Sequence, residues 1–346
     1  MEYRYTVYDS LNREDWNNNL LQFESSTFLQ SYENLTHNPT SKIPIFVYVL
    51  DRNNKIVGQL GLSIIHTSGL YSSKSFKNFL KLFSSITKRG VWVYGPVIAP
   101  LDHEHRVLIL EQILKAIDET AEKYNLVHIE GHTTPLEDFT NEDYGLLFTK
   151  YGYTMINEIT HIVDLKKEIN DIWNDIPKKT RGDINRAKRR GITWKKLETL
   201  DELHQYSLLN IDWAKSKGLV MTEANYEMKK LWENIQSKLE CVFLAYQNSK
   251  LISGTRVGCF NNTAYANFVI NTYSKKTNLG GTLLNWVVLE WAKTNKMNSY
   301  DFSGGFVIDN NNVKVEDYIK NLQFYKSKWG GQPTPYYNLK KRSEEH

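Results

Sequence analysis

The chain has 346 residues, of which 41% are hydrophobic and 24% charged, and a net charge of +4; this fits a soluble globular protein of two domains and does not by itself indicate a nucleic-acid binder. It contains only two cysteines, Cys241 and Cys259, in apolar strand-like runs, so a disulfide framework and a Cys-x-x-Cys metal site are excluded. Because no signal peptide pattern and no apolar run of about 20 residues is present, we expect a cytoplasmic protein without a membrane span.

The first half of the chain predicts a strand meander, a break and a helix. The stretch 67–89 has no clear period and is predicted to form a loop, while isoleucines recur every four positions within 103–124 and predict a helix with Asp102 as its N-cap. His128 and His132 look faintly like a metal motif, but we assign them to a strand and a turn, on different faces, and expect no metal site. The predicted strands of this half are 43–50, 56–66, 91–94 and 126–130.

The second half predicts a similar order of elements. Two helices come first, at 203–216 and 222–239, and Gly280-Gly281 opens a later amphipathic helix that runs to Lys293. The predicted strands are 241–246, 251–258, 263–270 and 299–302. Both halves therefore combine an antiparallel meander, a glycine-containing break, an amphipathic helix and another strand.

A dense basic segment lies between the halves, from Lys178 to Lys196, with one acid, Asp183. Pro177 suits the start of a helix and Gly191 its end. Like charges packed so closely on one helix repel each other unless an anion lies nearby. The segment is therefore either a solvated basic face or a phosphate site for a nucleotide-linked or lipid-linked sugar or for tRNA.

Near the C-terminus, a strand-end carboxylate, paired glycines and an aromatic-lysine step occur within a short stretch. Asp301 ends a predicted strand beside Gly304-Gly305, and Tyr325-Lys326 follows about twenty residues later. Asp301 is either a proton acceptor or the cap of the glycine turn through an Asx bond. Lys326 is either a functional cation or an ordinary surface lysine.

These motifs and the order of elements resemble the Fem-type aminoacyltransferases that build peptidoglycan cross-bridges. The basic segment is similar to the family pattern Lys-x-x-Arg-x-x-Ile-x-x-Ala-x-x-x-Gly, and the C-terminal segment to Leu-x-x-Phe-Lys-x-x-Phe-Gly-Gly, with two aromatic exchanges. The matching residues are Lys178, Arg181, Ile184, Ala187 and Gly191, and Leu322, Tyr325, Lys326, Trp329, Gly330 and Gly331.

The resemblance implies an α+β fold of two tandem GNAT-like domains, each with a mixed sheet flanked by helices. The first domain would span 1–160, completed by a strand from 332–346, and the second 161–331. It also implies transfer of an aminoacyl group from aminoacyl-tRNA to an amine of a phosphate-linked cell-wall precursor, with possible peripheral contact to the membrane surface.

The resemblance also implies roles for single residues. Lys326 would stabilise the oxyanion, and Asp301 is the best carboxylate for taking up a proton. Arg181 would contact the diphosphate of the precursor with Lys178 nearby. The substrate-binding assignment is completed by Tyr325, which would shape the pocket, and Tyr94.

No cofactor is expected. CoA-dependent GNAT enzymes bind pyrophosphate on a glycine-rich loop at a helix N-terminus, whereas the matching stretch, 275–281, has Asn278 in place of the first glycine. Three alternatives remain open: an N-acyltransferase that uses another donor such as acyl-CoA on a polysaccharide or small amine, a non-catalytic binding module of the same fold, and a plain structural pair of domains.

Overall fold

The structure is a computed structural model that describes residues 2–36, 42–66, 88–216, 224–272, 279–304, 306–307 and 317–342. The chain divides into two compact units, each of which has its own core. Unit 1 comprises Met1–Ile159 with Pro335–His346, and unit 2 comprises Thr160–Thr334. Each unit combines a mixed sheet with packed helices, so the fold class is α+β, as predicted.

The sheet of unit 1 has the order β1-β2-β3-β4-β6-β14, in which β4 and β6 are parallel and the other neighbours antiparallel. The short β5 pairs with β3. The elements of this unit are β1 (Arg4–Tyr8), α1 (Arg13–Leu20), a 3-10 turn (Phe28–Gln30), α2 (Tyr32–Leu35), β2 (Lys42–Leu50), β3 (Ile56–His66), β4 (Lys88–Trp92), β5 (Val97–Ile98), α3 (His103–Tyr124), β6 (His128–His132), α4 (Glu142–Lys150), the first part of β7 (Thr154–Asp164) and most of β14 (Gln332–Arg342).

Helix α3 packs on the meander of unit 1 through its isoleucine stripe. Its first turn is capped by Asp102, whose carboxylate accepts the amide of His105, and its last turn ends at Asn125 in the left-handed region. Ile109 is fully buried against β3, and a Cβ built on Gly58 would lie 2.6 Å from Ile109 Cγ2. The glycine therefore allows the helix to approach the sheet closely.

The sheet of unit 2 has the order β7-β12-β11-β10-β9-β8, with β11 and β12 parallel and the other neighbours antiparallel. The two-residue strand β13 pairs with β7. The elements of this unit are the second part of β7, α5 (Ile169–Asp175), α6 (Lys178–Arg189), β8 (Thr193–Lys196), α7 (Leu200–Ser216), α8 (Ala224–Gln236), β9 (Glu240–Gln247), β10 (Lys250–Phe260), β11 (Thr263–Asn271), α9 (Gly280–Thr294), β12 (Ser299–Asp301), β13 (Phe306–Val307) and α10 (Asp317–Ser327).

Helices cover both faces of the unit 2 sheet. On one face, α5, α6 and α9 build the larger core with Phe243 and Trp329, and the buried Ile184 and Ala187 attach the basic helix α6 to it. On the other face, α7 and α8 pack on Val242 and neighbouring strand residues. The sheet is thus the middle layer of a three-layer unit.

One sequence interpretation was wrong. His128 and His132 both belong to β6, where residues four apart point to the same face, so the turn assigned at His132 does not exist there. The shared face of the two histidines does not by itself form a metal site. Among the described residues, no group of three or more potential metal ligands occurs. The loop predicted at 67–89 falls almost wholly outside the described residues, and its last two positions open β4.

Within the described ranges, no helix combines the length and the apolar character that crossing a bilayer requires.

Candidate functional site

Lys326 lies in the last turn of α10, and its side chain turns inward. Its ammonium donates a hydrogen bond to the main-chain oxygen of Ser303 at 2.5 Å. Burial lowers the pKa of Lys326 to about 8, against the opposing effect of the Asp301 carboxylate, which favours the charged form. The residue is therefore not an ordinary surface lysine: it is a half-buried cation whose pKa is lowered by burial.

Asp301 ends β12 and is only 2% exposed. Its Oδ1 accepts two hydrogen bonds, from the Thr160 hydroxyl at 2.5 Å and from the Ser303 amide at 2.7 Å. The second bond is the Asx turn that the sequence allowed. Because Ser303 has φ 55, in the left-handed region, this bond holds the turn in the conformation that presents the Ser303 oxygen to Lys326.

Two residues of this cluster escaped the sequence analysis. His161, on β7, is 4% exposed, and burial together with the nearby Lys326 charge lowers its pKa. Tyr265, on β11, pairs with Asp301 in the sheet, and burial and the Asp301 carboxylate raise its pKa. No clear sequence signal marks either residue, because β7 carries further polar residues and was itself not predicted.

Tyr325 precedes Lys326 in α10 and is held by α9. Its hydroxyl accepts a hydrogen bond from Asn285 Nδ2 at 3.0 Å, and its ring lies edge-on to Trp329 at 6.2 Å. Burial raises the pKa of Tyr325 to about 12, so the phenol stays neutral at physiological pH. Tyr325 therefore fixes α10 on the first turns of α9.

The glycine pair after α10 brings the Lys326 segment against the end of α5. Gly330 has φ +75, and a Cβ there would lie 2.9 Å from the Cβ of Asp175. The residue before Asp175, Asn174, accepts a hydrogen bond from Arg181 Nη1 at 3.1 Å. The structure thus links the two sequence motifs, because both contact the same end of α5.

Lys178 and Arg181 occupy the N-terminal end of α6. Lys178 is exposed in the first turn, and Arg181 is half-buried. The N-cap, Pro177, makes no side-chain cap bond, and the first turn contains no acid. This end of the helix combines cations with the positive end of the helix dipole, an arrangement that suits an anionic ligand.

Tyr94 belongs to unit 1, whereas Lys326 belongs to unit 2. Tyr94 follows β4, has φ 53, and is 2% exposed, with its ring edge-on to Tyr336 at 5.5 Å. The structure does not test its predicted contact with substrate.

The stretch 275–281, which matches the phosphate loop of CoA-dependent GNAT enzymes, is described only from residue 279 onward, since Asn278 and the residues before it fall outside the described ranges. Gly281, in the first turn of α9, faces Asn271: a Cβ there would lie 2.6 Å from Asn271 Oδ1. The Asn271 oxygen also accepts a bond from the Ser253 hydroxyl at 2.8 Å. This glycine therefore has a packing role.

Comparisons with known proteins identify the fold. No protein-family model and no curated protein sequence matches the chain. The solved structure of FemX superposes with a TM-score of 0.72, at 12% identity, over 97% of this chain and 97% of its own. L-PGS from Bacillus licheniformis gives a TM-score of 0.57 at 11% identity, over 97% of this chain and 93% of its own.

A third similar structure is a tandem GNAT protein from the clavulanic acid biosynthesis pathway, with a TM-score of 0.56 at 12% identity over 100% of both chains. These likenesses run through nearly the whole chain at very low identity. The resemblance read from the sequence is confirmed at the level of the fold: this chain has the Fem-type tandem GNAT fold.

Proposed function

We propose that the protein is an acyltransferase that moves an aminoacyl group from aminoacyl-tRNA to an amine of a nucleotide-linked or lipid-linked muropeptide. The observation that carries this proposal is the half-buried ammonium of Lys326, which donates to the Ser303 oxygen at 2.5 Å, and burial lowers the pKa of this ammonium to about 8. Support comes from the fold, which the chain shares with FemX and L-PGS.

The chemistry needs one stabilised intermediate. The acceptor amine attacks the ester carbonyl carbon, a C–N bond forms, and the carbonyl oxygen becomes an oxyanion. The Lys326 ammonium donates a hydrogen bond to that oxyanion. This hydrogen bond stabilises the oxyanion most strongly in a site shielded from water. The ester C–O bond then breaks, and the tRNA ribose oxygen leaves with a proton. Because the ester is already activated, no covalent enzyme intermediate is needed.

Asp301 supports Lys326 in this scheme. Its carboxylate is buried and accepts the Thr160 and Ser303 bonds, so it fixes the turn that holds the ammonium, and its charge keeps Lys326 protonated. The proton released by the attacking amine goes to Asp301, to water or to the leaving ribose oxygen. Replacing the aspartate distinguishes its charge effect on Lys326 from a role as the proton acceptor.

The N-terminal end of α6 is the proposed site for the precursor's diphosphate. Arg181 presents a planar guanidinium that suits phosphate oxygens, and Lys178 adds a second charge in the same turn. The shared contact with the end of α5, through Asn174 and Gly330, supports placing this anion site in the same reaction centre as Lys326.

The decisive experiment is a transfer assay with a mixed aminoacyl-tRNA pool and a nucleotide-linked muropeptide, run beside acetyl-CoA. Product formation from the tRNA pool, lost in Lys326→Ala, is the expected result. Lys328→Ala is the matched control, since Lys328 belongs to the same segment but lies over the Phe324 ring, at 4.1 Å from its centroid. Product from acetyl-CoA alone would contradict the proposal.

A second candidate is an N-acyltransferase that takes acyl-CoA. It is favoured by the start of α9, where Gly280 and Gly281 open the helix without a side-chain cap, as a pyrophosphate site at a helix N-terminus requires. The contact between Gly281 and Asn271 offers a packing reason for the same glycine, so the tRNA-dependent reaction is preferred. The acetyl-CoA arm of the assay decides between them.

A further inference from the structure

The C-terminal end of α6 carries cations that the proposed diphosphate site does not use. Arg189 and Arg190 are exposed, and no carboxylate lies within ion-pair distance of either one in the part of the chain that the structure describes. Arg186, by contrast, is paired with Asp183 at 2.5 Å. Two guanidinium groups without a carboxylate partner raise the local positive potential, so the surface favours an anionic partner.

This end of the helix is distant from the Arg181 end. Lys178 and Arg189 are about 16 Å apart along α6, at roughly 1.5 Å per residue. One diphosphate cannot span that distance. The two ends of the helix therefore offer two separate anion-binding surfaces.

The edge strand β8, which follows α6, adds an exposed aromatic side chain. Trp194 is 47% exposed, although its ring centroid lies 6.1 Å from that of the buried Phe243. Lys196, two residues on, lies over Trp291 of α9, with its ammonium 5.6 Å from the ring centroid. Trp194 and Lys196 thus point to the sheet face that α6 and α9 cover, and α6 is the helix that carries Arg189.

We propose that Arg189, Arg190, Trp194 and Lys196, here called the Arg–Trp surface, bind the RNA of the aminoacyl donor. The cations contact phosphates, and the indole of Trp194 stacks on an unpaired base. This inference rests on the proposed function, in which the donor is an aminoacyl-tRNA. It adds the surface that receives the RNA and separates it from the Arg181 site.

The composition of the surface favours RNA over a bilayer. A helix that lies on a membrane presents a continuous apolar stripe between its cations. Here a single ring stands among cations, and the exposed neighbours Asn185 and Thr193 are polar. A rigid aromatic platform beside guanidinium groups is instead the arrangement that binds single-stranded nucleic acid.

The test measures binding of deacylated bulk tRNA, intact or with its single-stranded 3′ end removed, over a salt titration. For Arg189→Glu/Arg190→Glu we expect affinity to fall at least tenfold and the salt slope to shrink by about 2. For Trp194→Ala we expect the affinity for intact tRNA, but not for the shortened tRNA, to fall about tenfold. Trp194→Phe should largely restore this affinity. Lys215→Glu/Lys229→Glu makes the same charge change on exposed lysines of α7 and α8 and should bind normally.

Two crossed measurements separate this inference from the proposed function. The Arg189→Glu/Arg190→Glu variant should bind the nucleotide-linked muropeptide with wild-type affinity, and Arg181→Glu should bind tRNA normally. If the wild type binds tRNA but the Arg–Trp variants bind it equally well, the surface is refuted and the transferase proposal stands. If these variants instead lose binding to phosphatidylglycerol vesicles while tRNA binding is unchanged, the surface is a membrane contact and the RNA inference is wrong. Transfer from acetyl-CoA without any tRNA binding would overturn both.

Discussion

The side-chain nitrogen of Lys326 donates to the main-chain oxygen of Ser303 at 2.5 Å, although the two residues are separated by a stretch that includes the start of α10. The amide of Ser303 in turn donates to Asp301 at 2.7 Å. The carboxylate therefore acts on the lysine in two ways, through its charge and through the turn it holds.

Removing the Lys326 ammonium should abolish transfer while leaving the fold and ligand binding intact. Lys326→Ala is expected to lower kcat by about 10²- to 10³-fold, the cost of one oxyanion donor, with little change in the affinity for either substrate. Steady-state kinetics with separately measured dissociation constants check this. A loss of substrate affinity with kcat unchanged would show that Lys326 binds substrate and does not act on the intermediate.

The pH dependence of transfer should show a descending limb set by Lys326. The ammonium must be protonated to donate to the oxyanion, and its pKa is about 8, so kcat should fall as pH rises through 8. Lys326→Arg keeps a cation that does not titrate in this range, and any residual activity should lack the limb. A limb that persists in the arginine variant would assign it to another group.

Neutralising Asp301 should move this limb to lower pH. Its carboxylate favours the charged form of Lys326, so Asp301→Asn should lower the pKa of the lysine further while leaving activity at lower pH. Thr160→Val removes one hydrogen bond to the same carboxylate and keeps its charge, so the limb should stay in place. A pH-independent loss of 10²- to 10⁴-fold in Asp301→Asn would instead identify the aspartate as the proton acceptor.

Reversing the charge of Arg181 should weaken binding of the phosphate-linked acceptor. For Arg181→Glu we expect at least a tenfold loss in affinity for the nucleotide-linked muropeptide and a weaker salt dependence, measured by calorimetry. The matched control is Lys179→Glu, which changes the same charge on the opposite flank of α6, where the side chain is exposed. Equal effects of the two variants would mean that only net charge matters.

The glycine after Trp329 should tolerate no side chain. Gly330→Ala places a Cβ 2.9 Å from that of Asp175 in a backbone with φ +75, so we expect the free energy of unfolding to fall by about 1–2 kcal/mol or more. Gly182→Ala is the control, because a Cβ there meets nothing within 4 Å and alanine favours the helix by about 0.5–1 kcal/mol. Urea denaturation of both variants measures the change in the free energy of unfolding. This change should be negative for Gly330→Ala and positive for Gly182→Ala.

The sequence predicted best where local signals and burial agree. Helix α3 was predicted at 103–124 and is observed at His103–Tyr124, because Asp102 caps one end and Asn125 adopts the left-handed conformation at the other. The fold class followed from the resemblance between the order of such elements and that of the Fem-type enzymes. Here an apolar periodicity and a capping residue specify the same boundary.

The prediction failed where buried polar residues interrupt the pattern. Strand β7 contains Glu158, Thr160 and His161, which are all buried, so hydrophobicity does not mark it as a strand. Helix α10 was missed because Leu322 and Phe324 are exposed on it and no apolar stripe identifies its inner face. The polar contacts of Lys326 and Asp301 depend on these two elements, so the geometry of the site could not be read from the sequence.

The position of β14 also affects how the protein folds during synthesis. Residues of this strand pair antiparallel with β6, Asn338 opposite His132 and Arg342 opposite His128, and they belong to unit 1. The ribosome makes them only after all of unit 2, so until then β6 has an unpaired edge that can recruit a foreign strand. A nascent or truncated chain that stops before Pro335 should therefore depend on chaperones and aggregate through unit 1, even when every residue around Lys326 is present.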